Sequence, residues 1–221
     1  PAPDKANYYK VGSVNVKDKD GNEIEVTEVK GDFDTSYTFT MPKADVDINV
    51  EFVSVKDMFN EDGSLKDGNY YIPIQSINAY NPNEKQLSMS NACIKGSKLN
   101  VKSGKSTITV YLQSTSRSGI TDWGKQWQVM KSNDMDAERF TPEYHFDEQG
   151  HIDAITYELP SDETGSAYTW GGNYVHVWVD AMGGDVSTWF DMDFVNAVRF
   201  EDDSKLADGV YSVPVKALMA H

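Results

Sequence analysis

The sequence predicts an all-β protein, a small four-stranded β module followed by an immunoglobulin-like β-sandwich. Three observations carry that prediction. Apolar and polar residues alternate in short runs along nearly all of the 221 residues, the two-residue period of a half-buried strand. Asp-Gly pairs and other turn signals, as at Asp20-Gly21 and Asp62-Gly63, divide these runs at regular intervals. No stretch keeps apolar residues at helical spacing over three turns.

The elements follow in order. Tyr9–Lys17 alternates, "DKDGNE" turns, and Ile24–Val29 alternates again. Ser36–Met41 and Val46–Phe52 follow, separated by "PKAD", and complete a module over residues 1–53. Residues 54–64 read as a linker with one helical turn at Val55–Phe59. The sandwich, residues 65–202, opens with "NYYIPIQSI" and a polar loop through "NAYNPNEKQLSMSNACIKGS". Its remaining strands are expected in "KLNVKSGKSTITVYLQ", "KQWQVMKS", "YHFDEQGHIDAITYELP", "YVHVWVDAMGGDVSTWFDMDF" and "NAVRF", seven or eight in all. In "YVHVWV" Tyr174, His176 and Trp178 share one face, and Val175, Val177 and Val179 the other; the valines are the natural core side.

Residues 203–221 raise a separate question. "LKDGNYYIPIQSINAY" from Leu65 and "LADGVYSVPVKALMAH" from Leu206 match in register at Asp67/Asp208, Gly68/Gly209, Tyr70/Tyr211 and Pro73/Pro214. Such a fixed offset marks repeated modules. The tail is expected to begin a second sandwich or to add an edge strand, through Val213, Val215 and Leu218, to this module or to a neighbouring chain in a strand-exchanged dimer.

Composition narrows the function classes. A formal charge of −15 opposes nucleic-acid and anionic-lipid surfaces, which need clustered Lys and Arg. Cys93 is the only cysteine, so no internal disulfide forms. No run of 18 apolar residues spans a membrane in this piece of chain. "DKDGNEIE" and "EDGSLKDG" lack full calcium-loop spacing, and hairpin turns account for them. The four histidines show no zinc spacing, and no nucleophile elbow is visible, so no enzyme is expected.

Two resemblances add to this. "YTFTMPKADV", followed by alternating residues and Phe52, resembles a short repeat of Gram-positive surface proteins that serves as a spacer or adhesion module. "LKDGNYYIPIQSI", "SMSNACIKGSKLNVKSGKSTITVYL" and "VHVWVDAMGGDVSTWFDMDF" resemble the opening strand, the lip with its hairpin, and the closing hairpin of NEAT (near-iron-transporter) domains. That resemblance implies an extracellular, cell-wall-attached module for iron acquisition that binds haem or haemoproteins. The family's closing hairpin carries Y-x-x-x-Y, whose first Tyr ligates iron. Here those positions fall on Gly184 and Thr188, and the lip's S-x-x-x-x-Y becomes Ser88 with Cys93.

The haem candidates are therefore Ser88, Met89 and Cys93 on the lip, with Met182, Gly184, Thr188 and Trp189 on the closing hairpin. Met89, Cys93 and Met182 are soft ligands that haem iron accepts, and equally residues that fill apolar gaps. Two functions stay open. One is capture of haem or a haemoprotein with a non-standard or absent iron ligand. The other is a non-haem module for adhesion to host protein or glycan, or a structural stalk. A deep apolar slot between lip and hairpin favours haem, and a filled groove favours the others.

Overall fold

The computed structural model describes residues 8–31, 35–117, 119–162, 165–202 and 205–206. Five strands occupy the N-terminal part: β1 (Tyr9–Asp18), β2 (Glu23–Ile24), β3 (Val26–Lys30), β4 (Thr35–Phe39) and β5 (Val46–Ser54). They form two sheets, one in order β2-β1-β5 and a separate β3-β4 hairpin. The four expected strands become five because the run Ile24–Val29 changes sheets. Ile24 pairs with Val16 of β1, and Val26 pairs with Phe39 of β4. Val16 is the only buried residue among the described residues 8–54, so this part has a thin core.

The connecting segment is packed. A 3-10 turn at Lys56–Met58 follows Val55, whose amide donates to Tyr8 O at 2.7 Å, and the Tyr8 ring stacks on Phe59 at 4.3 Å. Val55, Phe59 and Leu65 are buried and join the sandwich core.

The sandwich strands are β6 (Gly68–Tyr71), β7 (Ile74–Asn78), β8 (Ile94–Lys102), β9 (Lys105–Leu112), β10 (Thr115–Arg117), β11 (Ile120–Asp122), β12 (Lys125–Met130) and β13 (Arg139–Phe140). They continue with β14 (Glu143–Phe146), β15 (Ile152–Glu158), β16 (Ser161–Asp162), β17 (Gly165–Ser166), β18 (Gly172–Val179), β19 (Gly184–Met192), β20 (Val198–Asp202) and β21 (Lys205–Leu206). A four-residue helix, α1 (Ala167–Trp170), precedes β18.

Two antiparallel sheets face each other, β14-β15-β9-β8-β6-β20-β21 and β13-β12-β18-β19-β7. Alternation explains which residues fill the space between them. Leu99, Val101, Ile108, Val110 and Ile155 point in from the larger sheet, and Trp127, Val129, Val175, Val177, Val179 and Phe190 from the smaller. Each fully buried aliphatic side chain contributes about 1.5–3 kcal/mol. The expected single strand "NYYIPIQSI" is two strands in different sheets. Pro73 has no N–H for a ladder, and the chain crosses between the sheets there. The two-residue Ser103-Gly104 loop between β8 and β9 has φ of +52° and +77°, the geometry of the tightest hairpin turn.

At the C-terminal end β21 folds back on β20, with Leu206 opposite Phe200. Val213, Val215 and Leu218 of the expected tail strand lie outside the described residues.

Candidate functional site

The lip and the closing hairpin meet at one end of the sandwich. Ser88 has extended backbone and caps a 3-10 turn at Met89–Cys93, its Oγ accepting from the Ser90 amide. The turn is stapled to β7: Ser88 N donates to Ser76 O at 2.9 Å, and Ser76 N donates to Asn91 Oδ1 at 2.9 Å. Its far end is held by Gln113, whose amide donates to Cys93 O and whose Nε2 donates to Ala92 O.

The other wall is the turn between β18 and β19, a 3-10 turn at Asp180–Met182. The Asp180 amide donates to Asp122 Oδ2 at 2.7 Å, and Lys125 Nζ reaches both Asp180 (2.7 Å) and Asp122 (3.4 Å). Lip and hairpin turn are thus both tied to the segment 113–125, which carries the β10-β11 hairpin.

Between them runs a chain of hydroxyls. Thr188 Oγ1 donates to Ile77 O at 2.8 Å. A carbonyl only accepts, so this bond uses the one Thr188 proton. Ser76 Oγ must then donate to Thr188 Oγ1 (2.5 Å), Ser90 to Ser76 (2.6 Å), and Ser88 to Ser90 (2.9 Å). Ser76, Ser90 and Thr188 are fully buried, so hydroxyls close the space between lip and β19 at this point.

The sequence candidates separate around this closure. Ser88 and Thr188 are joined through it. Cys93 is fully buried in the core cluster, and burial, with a smaller push from the Asp122 carboxylate, raises its thiol to about 11. Burial and the raised pKa favour the protonated thiol and a packing role over a thiolate ligand. Gly184 has φ of +118°, and a Cβ there would lie 3.1 Å from the Trp178 ring, so the indole covers the position that would carry an iron-binding Tyr. Met182 is half-buried against the core, and Met89 is exposed. Trp189 points to the opposite side of β19 from Thr188, as alternation requires, and meets the edge of Tyr174 at 4.7 Å.

His176 lies on that outer face with Tyr174 and Trp178, its Nδ1 2.5 Å from Asp185 Oδ1. Burial pulls its pKa below the ordinary value, outweighing the Asp185 carboxylate. Trp178 Nε1 donates to Asp180 Oδ1 at 2.5 Å, which fixes the indole over Gly184. Asp18 accepts from the amides of Asp20 and Asn22 and from Asn22 Nδ2, so the first Asp-Gly turn occupies its own carboxylate. Among the described residues no three His, Cys, Asp or Glu side chains gather as a metal site, and no helix is long and apolar enough to cross a membrane.

Sequence reasoning missed Ser76 and Ser90. The signal was available for Ser76, which continues the inward parity of Ile72 and Ile74 in "YIPIQSI" and so puts a hydroxyl at a core position. Ser90, inside an irregular lip, gave no such signal.

No family model matches the chain, and no curated protein matches it. Solved structures similar in shape include two of one domain. One is the NEAT5 domain of IsdX2, a Bacillus anthracis hemophore, in complex with heme, 19% identical, with a TM-score of 0.42 over 58% of this chain and 97% of that one. The other is a mutant of the same domain in complex with heme, 20% identical, with the same TM-score and coverage. A likeness of this size assigns no ligand.

Proposed function

We propose that the chain belongs to a cell-surface binding protein whose sandwich captures a haem-bearing protein by surface contact, without ligating the iron and without catalysing a reaction. The sequence resemblance to NEAT domains supplies the choice of ligand class. One observation carries the mode: the Cys93 thiol and the Thr188 hydroxyl are withdrawn, while large apolar side chains are presented beside the exposed Lys125–Asp180 pair. Cys93 and Thr188 are fully buried, and Gly184 lies under an indole. Tyr80, Met89, Ile120 and Trp178 are 79%, 47%, 55% and 42% exposed on the lip and the turns beside it. Exposed aromatic and apolar side chains of this kind are the residues that anchor protein interfaces.

The test pairs two titrations of the whole chain. Ferric haem alone should give no saturable Soret shift, whereas immobilised methaemoglobin should bind saturably, with affinity reduced about tenfold or more by Trp178→Ala. A saturable Soret shift abolished by Met182→Ala would replace this reading with haem ligation by a substituted ligand. Absence of binding to both would remove haem from the function altogether.

A further inference from the structure

β5 is a nine-residue strand, and among the described residues β1 is its one partner and its other edge is open. The orientation of its hydrogen-bonding groups follows from the ladder. Asp18 N donates to Asn22 O of the β2 arm, so Asp18, Val16 and Val14 face β2 and Lys17, Asn15 and Ser13 face β5. Beyond the register shift between Ser13 and Val11 the β1 parity inverts, and Val55 N donating to Tyr8 O keeps the odd residues at the end of β5 turned toward β1. The register Lys17↔Asp47 and Asn15↔Asn49 then turns the odd residues of β5 toward β1. The N–H and C=O groups of Ile48, Val50 and Phe52 point out of the open edge.

These residues also carry uncovered apolar side chains, Ile48 57% and Phe52 36% exposed, on the same face of the sheet as buried Val16. A long, apolar edge with unpaired backbone groups is a template for another strand. The pattern fits its own reverse. Antiparallel pairing centred on Val50 sets Ile48 against the second copy's Phe52 and Val50 against itself. Asp47 then faces Val53, and Glu51 faces Asn49, so no acidic residue opposes another. A shift of centre to Asn49 would put Asp47 opposite Glu51, which like-charge repulsion disfavours.

We propose that β5 is a self-pairing edge that joins two copies of this chain, antiparallel about Val50, into one continuous six-stranded sheet. The pairing is isologous and closes at two, because the sheet's other edge, β2, is only Glu23–Ile24. Each copy carries a formal charge of −15, so repulsion opposes the association and added salt strengthens it.

Sedimentation velocity of the full chain, from about 5 to 500 µM in 0.05 and 0.5 M NaCl, should show a monomer–dimer equilibrium shifted toward dimer at the higher salt. Val50→Pro deletes an N–H that faces the open edge and not β1, and edge strands tolerate such a proline. It should abolish the dimer. Val50→Lys should do the same, which covers the case that the proline variant unfolds. With Cys93 buried, Val50→Cys should cross-link rapidly across the dyad on oxidation, and Asp47→Cys should not. A monomer throughout the range overturns the proposal. So does a dimer that persists in folded Val50→Lys, which would place the contact elsewhere, for example in strand exchange by the C-terminal segment.

Discussion

Replacing Thr188 by Val tests the hydroxyl chain at its terminus. The side chain keeps its volume and branching but loses one donor, to Ile77 O at 2.8 Å, and one acceptor, for Ser76 Oγ at 2.5 Å. Ser76 is fully buried, so its hydroxyl proton loses the acceptor it has at Thr188. An unsatisfied buried donor costs about 1–3 kcal/mol. With a urea m-value of about 2 kcal/mol/M the midpoint should fall by about 0.5–1.5 M. All five tryptophans lie between Trp123 and Trp189, so indole fluorescence reports the sandwich alone. In a Ser76→Ala background the orphaned donor is already gone, and Thr188→Val should cost about 1 kcal/mol less than it does alone. Equal costs in the two backgrounds, within about 0.4 kcal/mol, would refute the proton ordering and the coupling it implies.

Three further outcomes are expected. Cys93, buried with its thiol raised to about 11, should resist iodoacetamide at pH 8 in the native state and react within minutes in 8 M urea; fast native labelling would mean the lip opens readily. Tyr157 is raised still higher by burial, and Tyr168, also by burial, to about 12. The protonated forms of Cys93 and both tyrosines are favoured by folding. Their contribution is fully present below the unfolded pKa values of about 9–10 and is lost as pH rises through the folded ones, so a stability scan should fall between pH 9 and 12. Gly184→Tyr should not create an iron site. The left-handed φ and the Trp178 ring at 3.1 Å make it cost about 1–3 kcal/mol, read as a lower urea midpoint; a variant of undiminished stability that ligates haem would contradict this geometry.

The residues legible in the sequence were those whose environment is set by their own neighbours. The valines of "YVHVWV" state their core face directly, and the alternating runs between Asp-Gly turns state the strands of the sandwich. What stayed hidden depends on distant partners. The two short strands around Glu25 read as one because sheet exchange leaves no local mark; only the pairing of Ile24 with Val16 and Val26 with Phe39 separates them. Cys93 is a ligand candidate on spacing alone, and its burial and raised pKa come from core residues and Asp122 elsewhere in the chain. The hydroxyl chain joins positions 76, 90 and 188, over 112 residues of separation, so no window of sequence contains it.

Under the proposed function, closure and the absence of a side chain at Gly184 are two separate barriers to haem at this end of the molecule. A flat ring entering between the lip turn and β19 must break the Ser88–Ser90–Ser76–Thr188 chain, three bonds worth about 1 kcal/mol net each. An opening cost of about 3 kcal/mol reduces apparent affinity by about two orders of magnitude, because only the open fraction binds. The double substitution Ser76→Ala and Thr188→Val replaces the buried hydroxyls by apolar groups and removes most of that cost. If closure alone kept haem out, this variant would acquire a saturable Soret band. The expectation is that it does not, since Gly184 still offers no ligand and Cys93 stays buried and protonated. On the proposed function, methaemoglobin should still bind this variant, because Trp178, Ile120, Met89 and Tyr80 lie outside the hydroxyl chain. A variant that gained free haem and lost the haemoprotein would invert both conclusions and make the lip groove, not the apolar rim, the binding surface.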